Sequence, residues 1–316
     1  MIKDYDFDVK LVPAFIKDAE GKLVQISNRQ FVYSDILDNE VYDCVSPQYE
    51  LIHHKDVVDI VKNELIPALG WKISKENLYL YDKGAILFNM FTINKTYNLD
   101  DLALHPVITA VNSYNRVTRA GVHVSLIDSN NNLLIPPSKQ VIYVFSGLVH
   151  KHGTASISNF KNLANTIPSV INNAIEQWSK WSKDYIHIDR LRIMLQLFNV
   201  RLAKSILSTA EYKNFTRFSL YQTICNYILN HENIAKSGFY YMMQINKILN
   251  FIQNDNLFTC SLSELTDYVK KHSKFDWERL NAKNKDSGND IIIDNTKENN
   301  KDNKPVLDDI LSILNI

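Results

Sequence analysis

The chain has 316 residues, of which 45% are hydrophobic and 22% are charged, a balance that supports a packed core over most of its length. Eight glycines and eight prolines are few for this length and favour long regular elements over a loop-rich fold. Three widely spaced cysteines without a CxxC pair are typical of a reducing compartment rather than a disulfide framework. The sequence has no run of about 18 apolar residues and begins with an aspartate-rich segment instead of a signal peptide, so we expect a cytoplasmic protein with no membrane span.

The charge of the chain sums to zero, but it is distributed in blocks. Residues 102–217 hold thirteen lysines and arginines against five acidic residues, whereas residues 1–101 hold eleven against seventeen. Charge asymmetry of this kind indicates a partner, and a basic middle block favours a polyanion such as nucleic acid. The alternative is that the basic middle block pairs with the acidic first block, either within one fold or in a neighbouring subunit of a homo-oligomer.

The first elements are predicted from the spacing of apolar residues. They recur at helical intervals from Tyr49 and stop at Gly70, which predicts an amphipathic helix that a glycine ends. Alternating Leu and Tyr residues then predict two strands joined by a hairpin at Asp82-Lys83-Gly84. Further strands are expected at Val107–Val111, Gly121–Ile127 and Lys139–Phe145. The run from Asp128 to Asn132, between the last two, predicts a turn.

The apolar period changes from two to about 3.6 residues after Gly153. Helices are predicted at Phe160–Lys183, Ile188–Leu207, Phe215–Leu229, Asn233–Ile252 and Ser263–Lys271. The sequence therefore predicts an α+β fold, with a mixed strand and helix domain over residues 1–152 and a helical domain or subdomain over residues 153–280.

The end of the chain has a different composition. Residues 281–304 are dominated by Asn, Lys, Asp and Glu and predict a disordered linker, because they cannot bury enough apolar surface to offset the cost of ordering. Residues 305–316 predict a short amphipathic helix with four apolar positions at helical spacing: Leu307, Ile310, Leu311 and Leu314. A tethered helix is typical of a peptide that docks on a protein partner, and docking on its own domain or on a neighbouring subunit is the alternative.

The loop from Asn112 to Gly121 is the best single candidate for a site. It joins two predicted strands and contains Tyr114, Arg116 and Arg119 beside amides and hydroxyls. Guanidinium groups bind phosphates and an aromatic ring stacks on a base. We therefore expect Asn112, Tyr114, Arg116 and Arg119 to contact nucleic acid, and a solvated loop is the alternative.

Trp178 and Trp181 are three residues apart in a predicted helix, beside basic residues. Aromatic rings interleaved with cations are typical of single-strand binding, but packing of both rings in the core is the favoured alternative for side chains of this size. Outside the loop, the residues expected to neutralise phosphates are Lys139, Lys151, Arg190, Arg192, Arg201 and Lys204.

No catalytic motif accompanies the basic middle block. The glycine patterns of phosphate loops, dinucleotide sites and nucleophile elbows are missing from the sequence, so an enzyme has no support, and we predict no cofactor and no metal. His150 and His152 would share one face of a strand and could serve a metal-dependent nuclease. The carboxylate or cysteine spacing that usually completes such a site does not occur.

Five segments, in this order along the chain, carry a family resemblance: Tyr49–Gly70, Asn112–Tyr114, Leu126–Asn130, His152–Gly153 and Leu220–Tyr227. Together they resemble the phage- and plasmid-encoded family catalogued as domain of unknown function 932. The arginine and cysteine that precede a Ser-Asn-Gly in that family are absent from Val124–Asn131. The resemblance implies a mobile-element origin and supplies no catalytic residue. The architecture also resembles that of phage single-strand annealing proteins, which bind DNA without chemistry and oligomerise.

These observations predict a phage or mobile-element protein that binds nucleic acid without catalysis, with single-stranded DNA as the favoured ligand. Its expected role is in recombination, replication or repair, with a protein partner for the C-terminal helix. The alternative is a structural, cargo or host-interaction protein that binds no nucleic acid.

Overall fold

The computed structural model describes residues 4–35, 40–118, 120–137, 163–198, 200–210, 215–229 and 251–272. It confirms the predicted α+β fold. The chain divides into two compact units, the first comprising Met1–Ser179 and Ile228–Leu249, and the second comprising Lys180–Tyr227 and Asn250–Ile316. The predicted domain boundary at Gly153, the linker over residues 281–304 and the helix over residues 305–316 lie outside the described residues.

The first unit begins with a three-stranded antiparallel sheet that the apolar spacing did not predict. Its strands are β1 (Lys10–Lys17), β2 (Leu23–Ser34) and β3 (Glu40–Val45), in the order β1-β2-β3. Because β3 pairs only with residues 30–34 of β2, the remainder of β2 and its partner residues in β1 form a two-stranded ribbon. At the tip of this ribbon the Asp18 carboxylate accepts the backbone N–H of Lys22 at 2.8 Å.

The predicted first helix is confirmed as α1, which covers residues 54–68 and so begins five residues after Tyr49. It runs as an α-helix over His54–Ile60, as a π-helical turn over Val61–Leu65 and as an α-helical turn over Ile66–Ala68. The wide turn comes just before Pro67, whose missing N–H removes one bond from the helical ladder. Gly70 follows at φ +66°, the left-handed conformation with which helices commonly end.

The strands after α1 form a six-stranded antiparallel sheet. They are β4 (Ile73–Tyr81), β5 (Ile86–Ile93), β6 (Tyr97–Leu99), β7 (Leu102–Ser113), β8 (Gly121–Asp128) and β9 (Leu133–Leu134), in the order β4-β5-β7-β8-β9 with β6 beside β7. The hairpin prediction is confirmed, because Asp82, Lys83 and Gly84 all have positive φ between β4 and β5. The predicted turn at Asp128 leads into β9, and the strand predicted at Lys139–Phe145 lies outside the described residues.

The core of the first unit has two parts. In one, α1 packs against β7 and buries Val57, Val61 and Leu65 completely. Burial of a side chain of this size contributes about 1.5–3 kcal/mol. The other part is a cluster that joins the three-stranded sheet to the end of β7, and it contains Phe7, Val9, Val32, Val45, Tyr49 and Tyr114.

Helices dominate the described C-terminal half: α2 (Ile167–Trp181), α3 (Ile188–Leu195), α4 (Val200–Ala210), α5 (Arg217–Leu229), α6 (Asn256–Thr259) and α7 (Leu262–His272). The predicted helix over Ile188–Leu207 is therefore two helices. The chain leaves α3 through short-range turn bonds that place Phe198 against Phe251, with ring centroids 5.7 Å apart, and this tertiary contact outweighs helical propensity. Most of the helix predicted over Asn233–Ile252 lies outside the described residues.

Candidate nucleic-acid interface

The loop predicted as a binding site begins inside the core of the first unit. Asn112 of β7 is fully buried, and its Nδ2 donates to the carbonyl of Ile52 at 2.9 Å. The same Nδ2 lies 3.0 Å from Nδ1 of His54, whose Nε2 lies 2.9 Å from the carbonyl of Gly84. Because a carbonyl only accepts, Nε2 of His54 carries the proton and Nδ1 accepts from Asn112. Asn112 therefore positions His54 within the protein and offers nothing to a ligand.

Tyr114, one residue after β7, is also fully buried. Its ring stacks on His54 at a centroid distance of 3.9 Å and on Tyr42 at 5.6 Å, and its Oη accepts the backbone N–H of His54 at 3.0 Å. Burial raises the pKa of the Tyr114 hydroxyl. The ring has no face left for a base, which corrects the expectation that Tyr114 stacks on nucleic acid.

Arg116 connects the loop to the three-stranded sheet. Its guanidinium forms a two-pronged ion pair with Asp43 of β3, in which Nη2 donates to Oδ1 at 2.8 Å and Nε donates to Oδ2. The neighbouring Asn115 donates to the Asp82 carboxylate at 2.8 Å. The loop is thus held on both sides, and Arg116, although 59% exposed, already has an acidic partner.

The two tryptophans lie in the core, as the favoured alternative predicted. Trp178 is 0% exposed and Trp181 is 3% exposed. The Trp181 ring packs against Tyr221, with centroids 5.5 Å apart, and the guanidinium of Arg217 lies 4.8 Å from its centroid. Neither ring can stack on a base in this structure, so the aromatic stripe expected at this helix is corrected.

Arg190 and Arg192 of α3 have partners within the second unit. Arg190 donates to the carbonyl of Leu257 at 2.7 Å and to the carbonyl of Cys260, at the end of α6. Arg192 lies 3.3 Å from the carboxylate of Asp189, three residues earlier. Both side chains are partly buried, and their roles differ: Arg190 connects α3 to the end of α6, whereas the pair of Arg192 with Asp189 lies within α3.

Arg217 at the start of α5 is the most deeply buried of these cations, with 4% of its side chain exposed. Its Nε donates to the carbonyl of Ile252 at 2.9 Å, and Nη1 lies 2.7 Å from Asp255 and 3.4 Å from Asp184. The ring of Phe258 covers the guanidinium at 4.1 Å. A residue counted in the basic middle block is therefore part of the core of the second unit.

The remaining predicted contacts cannot be placed on a surface. Arg119, Lys139 and Lys151 lie outside the described residues, as do Leu307, Ile310, Leu311 and Leu314 of the C-terminal helix. Arg201 and Lys204 belong to α4, but their side chains are outside the described part of the structure.

An exposed group of residues at the end of α2, in the segment after it and at the start of α3 was not among the predicted contacts. Tyr185 is 66% exposed, and a backbone bridge to Thr216 holds it in place. The same stretch of the second unit contains further exposed side chains, which together with Tyr185 we name the 180–188 surface: Lys180, Lys183, His187 and Ile188. The sequence signal for this surface is an aromatic residue in the short segment between two predicted helices.

The 180–188 surface carries available positive charge. Within this part of the second unit, the carboxylates of Asp184 and Asp189 already pair with Arg217 and Arg192. Lys180 and Lys183 form no ion pair with any residue that the structure describes. Two lysines with no acidic partner beside an exposed ring can neutralise phosphates next to a stacked base.

Among the described residues no three His, Cys, Asp or Glu side chains converge to hold a metal ion, and His150 and His152 are not described. None of the helices in the described ranges is long and apolar enough to cross a bilayer. The chain matches no protein-family model, no curated protein and no solved structure.

Proposed function

We propose that this chain binds single-stranded nucleic acid without catalysis, DNA being the favoured ligand, and that the 180–188 surface makes the contact. The observation that carries the proposal is the exposure of Tyr185, a residue that is 66% exposed between the exposed Lys183 and His187. Stacking of one base on an aromatic side chain contributes about 1–3 kcal/mol, and each lysine–phosphate contact adds a salt-dependent gain.

The way in which Tyr185 is held also supports binding. The backbone of its segment is fixed by the bridge to Thr216 and by a 3.0 Å hydrogen bond from the N–H of Ile186 to the carbonyl of Phe215. A ring on a fixed backbone loses less conformational entropy when a base stacks on it. The sequence resemblance to the family of domain of unknown function 932 supports a role in the recombination, replication or repair of phage or plasmid DNA.

The test is fluorescence anisotropy of a labelled single-stranded oligonucleotide, titrated with the full chain at low and at physiological salt. Tyr185→Ala should weaken binding by roughly 5- to 150-fold. Replacement of Lys180 and Lys183 by Gln should reduce the slope of log K against log salt by about 1.4.

The matched control is Tyr79→Ala, which removes an exposed tyrosine of β4 and should leave affinity unchanged. A duplex of equal length, run alongside, tests the preference for a single strand. An unmodified chain that does not bind at low salt would overturn the proposal, as would a Tyr185→Ala variant that binds like the unmodified chain.

A second candidate is an interaction or structural protein that binds no nucleic acid. The observation that favours it is that the described arginines of the basic middle block, Arg116, Arg190, Arg192 and Arg217, all have partners inside their own unit. The Arg116–Asp43 pair in particular joins the basic middle block to the acidic first block within one fold. Light scattering at rising salt tests this candidate, which predicts that assembly is lost as the salt concentration rises in a chain that binds no oligonucleotide.

A further inference from the structure

The ribbon formed by β1 and β2 exposes apolar side chains on both of its faces. Ile16 and Val24 are directly opposite each other and are 53% and 44% exposed. Phe15 and Leu23, on the other face, are 47% and 63% exposed. Scattered surface leucines need no explanation, but four large apolar residues at the end of one ribbon indicate a surface that something covers.

The free edge of this ribbon belongs to β1. In the order β1-β2-β3, no described strand pairs with the outer side of β1. The N–H of Asp18 donates to the carbonyl of Lys22 at 3.0 Å, so these two residues form a hydrogen-bonded pair. Hydrogen-bonded and non-hydrogen-bonded pairs alternate in an antiparallel ladder. The backbone N–H and C=O groups of Ile16 therefore point toward β2, whereas those of Phe15 and Lys17 point outward.

We propose that the outer edge of β1 pairs with the β1 edge of a second copy of this chain, antiparallel about a twofold axis at Ile16. In this register Phe15 of one copy bonds to Lys17 of the other, and by symmetry Lys17 bonds to Phe15, which uses the outward N–H and C=O groups of both residues. The two three-stranded sheets become one six-stranded sheet.

The side chains are complementary in this register. On one face the two Ile16 side chains lie next to each other, and the Val24 side chains of the two copies lie on either side of them. These four side chains form a continuous apolar row. On the other face Phe15 lies opposite Lys17 of the second copy, where the lysine stem packs on the ring and the ammonium stays in water. A register shifted by one residue would place the outward N–H and C=O groups of Phe15 opposite Ile16 of the second copy, whose own groups point toward β2, so these hydrogen bonds would not form.

Disulfide cross-linking of the full chain tests this register. Ile16→Cys is introduced with Cys44→Ser, because Cys44 is the exposed native cysteine. The two Ile16 residues would form a non-hydrogen-bonded pair, in which the Cα atoms are about 4.5 Å apart and within the range of a disulfide. Mild oxidation should yield a dimer of twice 36.6 kDa that a reductant dissociates. Phe15→Cys is the matched control and should cross-link at least fivefold less, since two residues offset by two positions are beyond the roughly 7 Å limit between Cα atoms.

Proline substitution tests the hydrogen bonds separately. Lys17→Pro removes an N–H that points outward and should abolish the Ile16→Cys cross-link without disrupting the hairpin. Leu23→Pro is its control in β2, because the N–H of Leu23 points away from β1. The proposal is overturned if Ile16→Cys yields no dimer at high protein concentration, if Phe15→Cys cross-links equally well, or if Leu23→Pro abolishes the dimer as completely as Lys17→Pro.

Discussion

The hydroxyl of Tyr114 provides a sharp test of the interior of the first unit. Tyr114→Phe removes one atom and keeps the ring that stacks on His54 and Tyr42. The lost oxygen accepts the backbone N–H of His54 at 3.0 Å in a fully buried position. A buried donor without an acceptor costs about 1–3 kcal/mol, so the free energy of unfolding should fall by that amount.

Urea unfolding followed by circular dichroism measures this change. Tyr79→Phe is the control, because Tyr79 is 42% exposed, and its unfolding free energy should stay within about 0.5 kcal/mol of that of the unmodified chain. Oligonucleotide affinity should not change in Tyr114→Phe. The assignment of Tyr114 to the core would be refuted by a variant that unfolds like the unmodified chain, or by one that loses affinity and keeps its stability.

Three further predictions concern stability. Arg217→Met leaves the carbonyl of Ile252 without its donor and should lower the free energy of unfolding in urea by about 2–4 kcal/mol, with Arg217→Lys intermediate. A decrease below about 0.5 kcal/mol would contradict the core role of Arg217. Burial lowers the pKa of His123 from 6.5 to about 4, so on acidification the unfolded chain gains this proton before the folded chain does. The free energy of unfolding should therefore fall as the pH drops from about 6.5 to about 4. His123→Gln should reduce this pH dependence, and an unchanged pH profile would contradict the prediction. Ser261 donates its N–H to the Glu264 carboxylate at 2.9 Å, and its Oγ accepts the N–H of Glu264 at 3.3 Å. Loss of this cap in Ser261→Ala should lower the free energy of unfolding by about 0.5–2 kcal/mol in thermal or urea unfolding. An unchanged stability would contradict the prediction.

Sequence patterns predicted the turns and helix ends that depend on residues close together in the chain. The turn at Asp82 to Gly84 and the glycine after α1 follow from residues that tolerate positive φ, and both have it in the structure. The three-stranded sheet was missed because much of β2 is exposed on both faces, so its side chains do not alternate between apolar and polar. A strand without a buried face has no period to detect.

The candidate site was harder to predict because its contacts are distant along the chain. Arg116 pairs with Asp43, 73 residues away, and Arg190 bonds to Leu257, 67 residues away. In a count of charged residues such arginines appear free to bind a partner, and only the folded structure shows that each one bonds to a residue within its own unit. One local signal was informative: from Pro106 to Val111 the sequence of β7 is apolar except for Thr109, a run typical of a strand buried on both faces, and Tyr114 just after β7 is buried with it.

The division of the chain into two units has a practical consequence for dissecting the protein. Each unit is made of two separate stretches, since Ile228–Leu249 belongs to the first and interrupts the second. No single cut can release either unit intact, and a fragment that ends at Ser179 lacks part of the first. During synthesis neither unit has all of its residues before the ribosome has passed Leu249, so the first stretch of each unit must wait for a later stretch before that unit can finish folding.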